Sequence, residues 1–176
     1  MWVRDATISD VPEILAFIRA KAQFDRGLGA LQGDIETSEE LIGRHLFGPS
    51  PFAWALLAGD AASATGFAFY YFCFSSFRGR PSMWLDDLYV HAADRRHGTG
   101  QRLMGRLGEI ATATDCTHIA WLASASNAVG MNFYRKLGAT VVQQIEDAVT
   151  LRIVPSALVA LIGRHQSAAN SNFEPR

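Results

Sequence analysis

The turn from Arg95 to Gly100 constrains this chain more than any other stretch of its sequence. It follows a strand-like run over residues 83–91 and opens a helix-like run over residues 101–114. Glycine at positions 98 and 100 lets backbone amides approach an anion without side-chain obstruction, and the positive end of the helix dipole faces the same point. The turn therefore predicts a phosphate site, although strand-to-helix turns also use glycine for purely steric reasons.

Two common nucleotide-binding patterns are excluded at this turn. No Lys-Ser or Lys-Thr pair follows Gly100, so the lysine and the magnesium-binding hydroxyl of a P-loop are missing. A dinucleotide fingerprint would need glycine at position 103, where Leu103 stands. The pattern that fits is Arg-x-x-Gly-x-Gly, in which backbone amides and the Arg95 guanidinium hold a pyrophosphate.

The composition indicates one globular domain over residues 1–165, followed by a disordered tail over 166–176. The chain has 176 residues, of which 49% are hydrophobic and 19% charged, and a net charge of -1 that favours neither nucleic acid nor membrane partners. No secretory leader and no span of about 20 apolar residues is recognisable, so we expect a cytoplasmic protein. Neither the histidines nor the two cysteines have metal-ligand spacing, which predicts no metal.

The hydrophobic periodicity predicts a mixed α/β (α+β) fold. Its mostly antiparallel central sheet has about seven strands and is flanked by about four helices, in the order β-α-α-β-β-β-α-β-α-β-β. A loop is predicted over residues 25–36. The expected strands cover residues 2–8, 52–58, 65–74, 82–91, 118–123, 140–144 and 149–154, and the helices begin near residues 11, 37, 101 and 127, with a further short helix over 155–164.

Three separated motifs occur in this order of elements. They are the run 85–90, Leu-Asp-Asp-Leu-Tyr-Val; the turn 95–100; and Asn127 with the run 132–139, Asn-Phe-Tyr-Arg-Lys-Leu-Gly-Ala. Together they resemble the GNAT superfamily of acetyl-CoA-dependent N-acetyltransferases, over about residues 3–153. The aromatic stretch 66–81, together with the run 85–90 and with Asn127 and the run 132–139, is similar to the diamine and polyamine branch, which includes spermidine/spermine acetyltransferases and their thialysine-acetylating bacterial relatives.

The resemblance implies acetyl-CoA as the cosubstrate and assigns residues to it. A strand splayed from its neighbour would leave unpaired amides, which an extended ligand can satisfy by adding to the sheet edge. The expected pantetheine-binding residues are Leu88, Tyr89 and Val90. The expected pyrophosphate-binding residues are Arg95, Arg96, Gly98, Thr99 and Gly100. Asn127 matches a family position that contacts the coenzyme, as does Tyr134.

The chemistry of the reaction requires a proton acceptor, because an alkyl ammonium has a pKa near 10.4 and only the neutral amine attacks a thioester. Asp86 occupies a position where the family usually has glutamate, which assigns it this role through a water molecule. Asp87 is expected to pair with the substrate ammonium. Strict strand alternation would place the two acids on opposite faces. The alternative is that an aspartate only caps a loop or pairs with Arg80.

Tyr134 matches the tyrosine that protonates the leaving thiolate across much of the superfamily. Its alternative role is that of a core aromatic on an amphipathic helix. The catalytic residues implied by the resemblance are therefore Tyr134 and Asp86.

A cationic amine substrate needs carboxylates and aromatic walls. The expected substrate-binding residues are Phe24, Asp25, Trp84, Asp86 and Asp87, although Phe24 and Asp25 would equally suit an ordinary solvated loop. Two departures from the diamine branch occur at Ser126-Asn127, where relatives have Trp-Asn, and at Asp147-Ala148, where relatives have Glu-Trp. Both aromatic walls are absent, which predicts a reshaped acceptor pocket.

Three classes of function fit these residues. The first is an N-acetyltransferase acting on a primary amine of a small molecule, such as a diamine, a polyamine or a lysine analogue, with amino-acid or peptide amines as the alternative. The second is a non-catalytic acetyl-CoA-binding regulatory module. The third is an interaction protein that uses the aromatic loop 74–77. The resemblance also implies a homodimer, and nothing in the sequence suggests a nucleic-acid or membrane partner.

Overall fold

The computed structural model describes residues 1–31, 33–60, 63–160 and 162–163. These residues form a seven-stranded sheet in the order β1-β2-β3-β4-β5-β7-β6, in which every neighbouring pair is antiparallel except the parallel pair β4–β5. The strands are β1 (Trp2–Asp5), β2 (Trp54–Asp60), β3 (Ser63–Ser75), β4 (Arg80–Val90), β5 (Ile119–Ser124), β6 (Thr140–Ile145) and β7 (Ala148–Ile153).

The α-helices are α1 (Val11–Gly27), α2 (Glu39–Phe47), α3 (Thr99–Ala113) and α4 (Ala128–Lys136), with short 3-10 turns at Ile8–Asp10 and Ala92–Asp94. Residues 155–160 and 162–163 are also helical. The mixed, mostly antiparallel fold with its predicted order of elements is confirmed. Within the described ranges, no helix combines the length and the apolar character needed to cross a membrane.

The two faces of the sheet bury separate parts of the core. On one face, Leu103, Met104 and Leu107 of α3 are fully buried against the sheet, and Leu158 and Ile162 pack into the same cluster. On the other face, α1 and α2 cover β2 and β3 through smaller clusters that include Ile14, Phe17 and Ile42. Burial on both sides explains why strands β2 and β3 read as nearly continuous apolar runs.

Helix α1 is longer than the sequence predicts. It runs to Gly27, so the expected loop over 25–36 begins later, and Phe24 and Asp25 lie on the last helical turns. The run Ala20-Lys21-Ala22-Gln23 has no helix breaker, and its helix propensity outweighs the turn signal of the following glycines. A helix, and not a loop, therefore positions Phe24 and Asp25.

Candidate active site

Strands β4 and β5 separate in the middle of the sheet. They pair only at Met83–Ile119 and Trp84–Ala120, although β5 continues to Ser124 in register with β7. Among the described residues, nothing pairs with the β5 side of β4 beyond Trp84, so backbone groups of the run 85–90 border an open gap. The predicted splay is present, and an extended ligand could hydrogen-bond along this edge.

A β-bulge interrupts β4 at the start of this gap. Leu85 pairs with Tyr70 and Asp87 pairs with Phe69, so Asp86 is the extra residue. Leu85 and Leu88 both pack on the α3 side of the sheet, which leaves Asp86 and Asp87 both on the α1 side. The expectation that the two acids occupy opposite faces is therefore wrong, because the bulge breaks the alternation on which that expectation depends.

Helix α1 brings a lysine between two carboxylates at this position. The Lys21 ammonium forms ion pairs with Asp25, one helical turn along, and with Asp87 Oδ1 across the cleft at 3.5 Å. The three side chains are 22, 24 and 23% exposed. We use the name acceptor cleft for the region between α1 and β4 that carries these three side chains together with Phe24 and Asp86. Asp86, the outermost of these acids, is exposed.

Burial governs the electrostatics of Asp87. Removal of its carboxylate from water raises its pKa, Lys21 acts to lower it, and the nearby Asp86 and Asp25 raise it further. The carboxylate of Asp87 is thus a stronger proton acceptor than an ordinary aspartate. Raised acid pKa values of this origin are frequent in functional sites.

Tyr134 lies within the electrostatic reach of the acceptor cleft. Helix α4 packs its ring against Trp121 of β5, with the ring centroids 4.9 Å apart. Burial raises the pKa of the Tyr134 hydroxyl, and the negative charges of Asp87 and Asp25 raise it further. The hydroxyl therefore keeps its proton at neutral pH and can act as a donor.

The turn before α3 has the backbone geometry of an anion site. Arg96 and Gly98 adopt left-handed conformations, with φ of 69° and 90°. No side chain among the described residues caps the α3 N-terminus at Gly98, so the first helical amides are available to a ligand. Position 100 favours glycine for a separate, steric reason, because a Cβ there would lie 3.3 Å from Phe133 Cζ. The phosphate and steric explanations of the two glycines are thus compatible.

Arg95 turns its side chain toward the acceptor cleft. Its Nε donates to the Val90 carbonyl at 3.0 Å, and its guanidinium carbon lies 4.9 Å from the Phe24 ring centroid and 5.7 Å from that of Tyr89. These contacts join the end of β4 to the end of α1. The guanidinium is therefore engaged in structure, and the backbone amides are the principal groups that face an anion.

Asn127 caps α4, since its side-chain oxygen accepts a hydrogen bond from the Gly130 amide at 2.9 Å. Thr99 is 2% exposed at the start of α3, and Arg96 is exposed. Trp84 is the last residue of β4 that pairs with β5, and it opposes Tyr71 on β3. The ligand contacts of these residues stay predictions.

The open strand edge, the left-handed turn and the uncapped helix together fit acetyl-CoA, whose pantetheine arm and pyrophosphate need those groups. A family comparison agrees with this geometry: the model of the acetyltransferase (GNAT) family matches residues 22–139. The chain belongs to the GNAT acetyltransferase family. It is accordingly an N-acetyltransferase, similar to the diamine and polyamine branch.

Two curated relatives support the branch assignment of this GNAT acetyltransferase. The thialysine N-epsilon-acetyltransferase of Mus musculus is 28% identical over 170 residues, covering 92% of this chain and 97% of the relative. The spermidine/spermine N(1)-acetyltransferase-like protein 1 of Homo sapiens is 32% identical over 144 residues, which covers 78% of this chain and 20% of that protein.

Among solved structures, the PaiA N-acetyltransferase of Thermoplasma acidophilum in complex with coenzyme A has the same fold. Its TM-score is 0.68 at 17% identity, with 87% of this chain and 98% of that chain covered.

Lys21 is the main site residue that sequence reasoning misses. It precedes Asp25 by four positions on a helix face, a spacing that signals an ion pair. The predicted loop over 25–36 concealed this spacing, because a lysine at the end of a helix is usually solvated. No group of three or more His, Cys, Asp or Glu within the described residues could hold a metal ion.

Proposed function

We propose that this acetyltransferase transfers an acetyl group from acetyl-CoA to a primary amine of a small molecule, in a ternary complex. The substrate class is a diamine, a polyamine or a lysine analogue. The observation that carries the proposal is the acceptor cleft, where Asp25 and Asp87 already hold the primary ammonium of Lys21 within the field that acts on Tyr134.

Acetyl-CoA, when bound, supplies the thioester carbonyl that the amine attacks and the sulfur that leaves. The backbone of Leu88, Tyr89 and Val90 would hold the pantetheine arm along the open edge of β4. Amides of Gly98, Thr99 and Gly100 would hold the pyrophosphate, with the helix dipole adding to the attraction. Arg95, Arg96 and Asn127 complete the proposed coenzyme set.

The three carboxylates have different proposed roles in ammonium binding and proton transfer. Asp25 and Asp87 bind the substrate ammonium, and Asp86 accepts its proton through water as the C–N bond forms. Asp86 suits this role because it is exposed at the bulge and lies on the same face as Asp87. Tyr134 donates a proton to the sulfur as the C–S bond breaks, which leaves a neutral thiol, and the resulting phenolate takes the second proton that the nitrogen loses as it becomes an amide. Phe24 and Trp84 form the apolar walls.

The same geometry is compatible with amino-acid or peptide amines, because Ser126 and Ala148 leave the acceptor side without the aromatic walls of relatives. A regulatory module that only binds acetyl-CoA would keep the turn but would not need two largely buried acids whose charges act on Tyr134. The acid pair therefore favours the enzyme.

The test is an amine panel with purified protein and acetyl-CoA. The panel covers diamines, polyamines, thialysine, amino acids and peptides. A colorimetric thiol assay detects released coenzyme A, and mass spectrometry detects added acetyl groups. Acetylation of at least one small-molecule amine is expected. Saturable coenzyme binding without transfer to any amine would select the regulatory module.

The proposal also includes a cytoplasmic homodimer. Strand β6 lies at one edge of the sheet and exposes Val141, Val142 and Ile145 at 53, 46 and 63%, and Leu122 of β5, two strands away, is 57% exposed. An edge strand with three exposed aliphatic side chains favours pairing with another chain. Sedimentation equilibrium at micromolar concentration tests the dimer.

A further inference from the structure

We propose that Lys21 determines how many positive charges the acceptor cleft accepts. By occupying two carboxylates with one resident ammonium, Lys21 disfavours amines that bring two ammonium groups into the cleft and favours amines that bring one. This inference rests on the proposed function, because it concerns the selectivity of the same site.

The position of Lys21 is fixed by its helix. Its neighbour Ala22 is 5% exposed and anchors this turn of α1, and its ion-pair partner Asp25 lies on the same helix at the i+4 position. Asp87 reaches the ammonium from β4. The Lys21 ammonium is paired with one acid on α1 and one on β4, and its side chain is only 22% exposed. It is therefore not an ordinary solvated surface lysine.

The charge balance sets the preference. With Lys21 present, the acids Asp25, Asp86 and Asp87 exceed the cations Lys21 and Arg95 by one negative charge, which one substrate ammonium neutralises. Without Lys21 the excess is two negative charges, which match a dication. A second ammonium entering the native cleft must displace the tethered lysine, which remains close by and repels it.

The field at Tyr134 connects this charge balance to the reaction centre. Asp87 and Asp25 both act on the Tyr134 hydroxyl, so the ion-paired cluster and the proposed acid share one environment. Burial of Asp87 also raises its pKa while Lys21 opposes the rise, which shows that the lysine and this acid are electrostatically coupled. A change of charge at Lys21 therefore alters the electrostatic potential at the place where the amine is held.

The experiment compares two probes of equal chain length, pentylamine and 1,5-diaminopentane, which differ by one ammonium group. Dissociation constants are measured by titration calorimetry in the presence of coenzyme A. In Lys21→Met, the ratio of monoamine to diamine dissociation constants should rise by about tenfold or more, since a nearby unit charge has been removed. An unchanged ratio in this variant would overturn the proposal.

Matched variants separate charge from packing. Lys21→Arg keeps the charge, and Arg19→Met removes an exposed charge one half-turn away on α1, so both should keep the parent ratio within about twofold. Lys21→Gln keeps hydrogen-bond donors without the charge and should reproduce the shift, which provides the answer should the methionine variant fold poorly. A shift in the arginine variant as large as in the methionine variant would also overturn the proposal.

Acetyl transfer to both probes, measured on the same samples by mass spectrometry, keeps the two proposals apart. A shift in diamine binding with no transfer by any variant would overturn the proposed function and leave the role of Lys21 standing. Transfer by the parent with no shift in Lys21→Met or Lys21→Gln would overturn the role of Lys21 and leave the function standing.

Discussion

The backbone amide and the hydroxyl of Ser126 both donate hydrogen bonds to the same carboxylate oxygen of Asp147, at 2.8 and 2.7 Å. The hydroxyl of Ser124 donates to the other oxygen. These contacts tie the β6–β7 hairpin to the turn that leads into α4, and thus to Asn127. Ser126 and Ala148, the residue after Asp147, are the positions at which the resemblance to the diamine branch predicts tryptophan, so this polar contact lies beside both expected wall positions.

Removal of this contact should loosen the turn ahead of α4. We expect Asp147→Ala to lower the Tm at neutral pH and to lower kcat/KM by about fivefold or more, because Tyr134 depends on the placement of α4. Circular dichroism and steady-state kinetics measure the two effects. Asp34→Ala, at a fully exposed acid with the same charge, is the control. Equal Tm and kinetics in both variants would contradict the prediction.

The stability effect should also depend on pH. Hydrogen bonds from Ser124 and then from Ser126 lower the pKa of Asp147. A lowered acid pKa stabilises the fold above the ordinary aspartate pKa, near 3.9, and this contribution is lost as the pH falls through the lowered value. The Tm difference between parent and Asp147→Ala should therefore shrink in acid. A constant difference would mean that packing, not charge, is responsible.

Tyr134→Phe tests the proton donor. Burial and two nearby aspartates keep the hydroxyl protonated, so its removal takes away the donor without a change in ring packing against Trp121. We expect kcat to fall by at least about tenfold while the dissociation constant of coenzyme A stays within about twofold. Stopped-flow turnover and calorimetry supply the two numbers. Similar turnover in the two proteins would remove the proposed role.

Asparagine substitutions distinguish the two acids at the bulge. Asp86→Asn should lower kcat by about 100-fold with little change in KM, because it removes only the proton acceptor. Asp87→Asn should mainly raise KM for the amine, because it removes a partner of the substrate ammonium. A fall in kcat confined to the Asp87 variant, with the acid limb of its pH profile abolished, would assign the proton acceptor to Asp87 instead.

Much of this site follows from the sequence. The glycine turn, the strand before it and the helix after it predict where β4 ends and α3 begins, since the left-handed conformation at Gly98 limits the geometry there. The resemblance of the run 85–90 to the family marks the strand beside the gap. The steric limit at Gly100, in contrast, comes from Phe133 on α4.

Other parts of the site depend on contacts between distant segments. The bulge at Asp86 exists because Phe69 and Tyr70 pair with β4 in shifted registers, and no pattern within β4 alone indicates it. The ion pair between Lys21 and Asp87 needs the packing of α1 on the sheet. The Ser126–Asp147 contact joins residues 21 positions apart through a hairpin.

The ionised form of Asp87 should also lower the stability of the folded protein. Burial raises its folded pKa, so between the ordinary aspartate pKa and the raised value the folded state binds more protons than the unfolded state. Stability is therefore lost as the pH rises through this window. We expect Asp87→Asn to melt at or above the parent Tm at neutral pH, with the gain shrinking toward pH ~4. Thermal melts across pH test this, with Asp86→Asn as the exposed control.

Gly98→Ala tests the turn that is proposed to hold the pyrophosphate. Gly98 has a φ of 90° and a Cβ there would meet nothing within 4 Å, so backbone strain is the only direct effect of the substitution. The strain costs about 1–2 kcal/mol, and its relief would rotate the Thr99 and Gly100 amides away from the anion. We expect weaker binding of coenzyme A, by about fivefold or more.

Gly79→Ala is the matched control for this substitution. Gly79 has a φ of 62°, also has open space around its Cα, and lies in the β3–β4 hairpin away from the gap between β4 and β5. The two variants should therefore lose similar stability in thermal melts, since the same strain is introduced. Only Gly98→Ala should lose coenzyme affinity in calorimetry. Equal affinity in both variants would show that the turn geometry does not determine coenzyme binding.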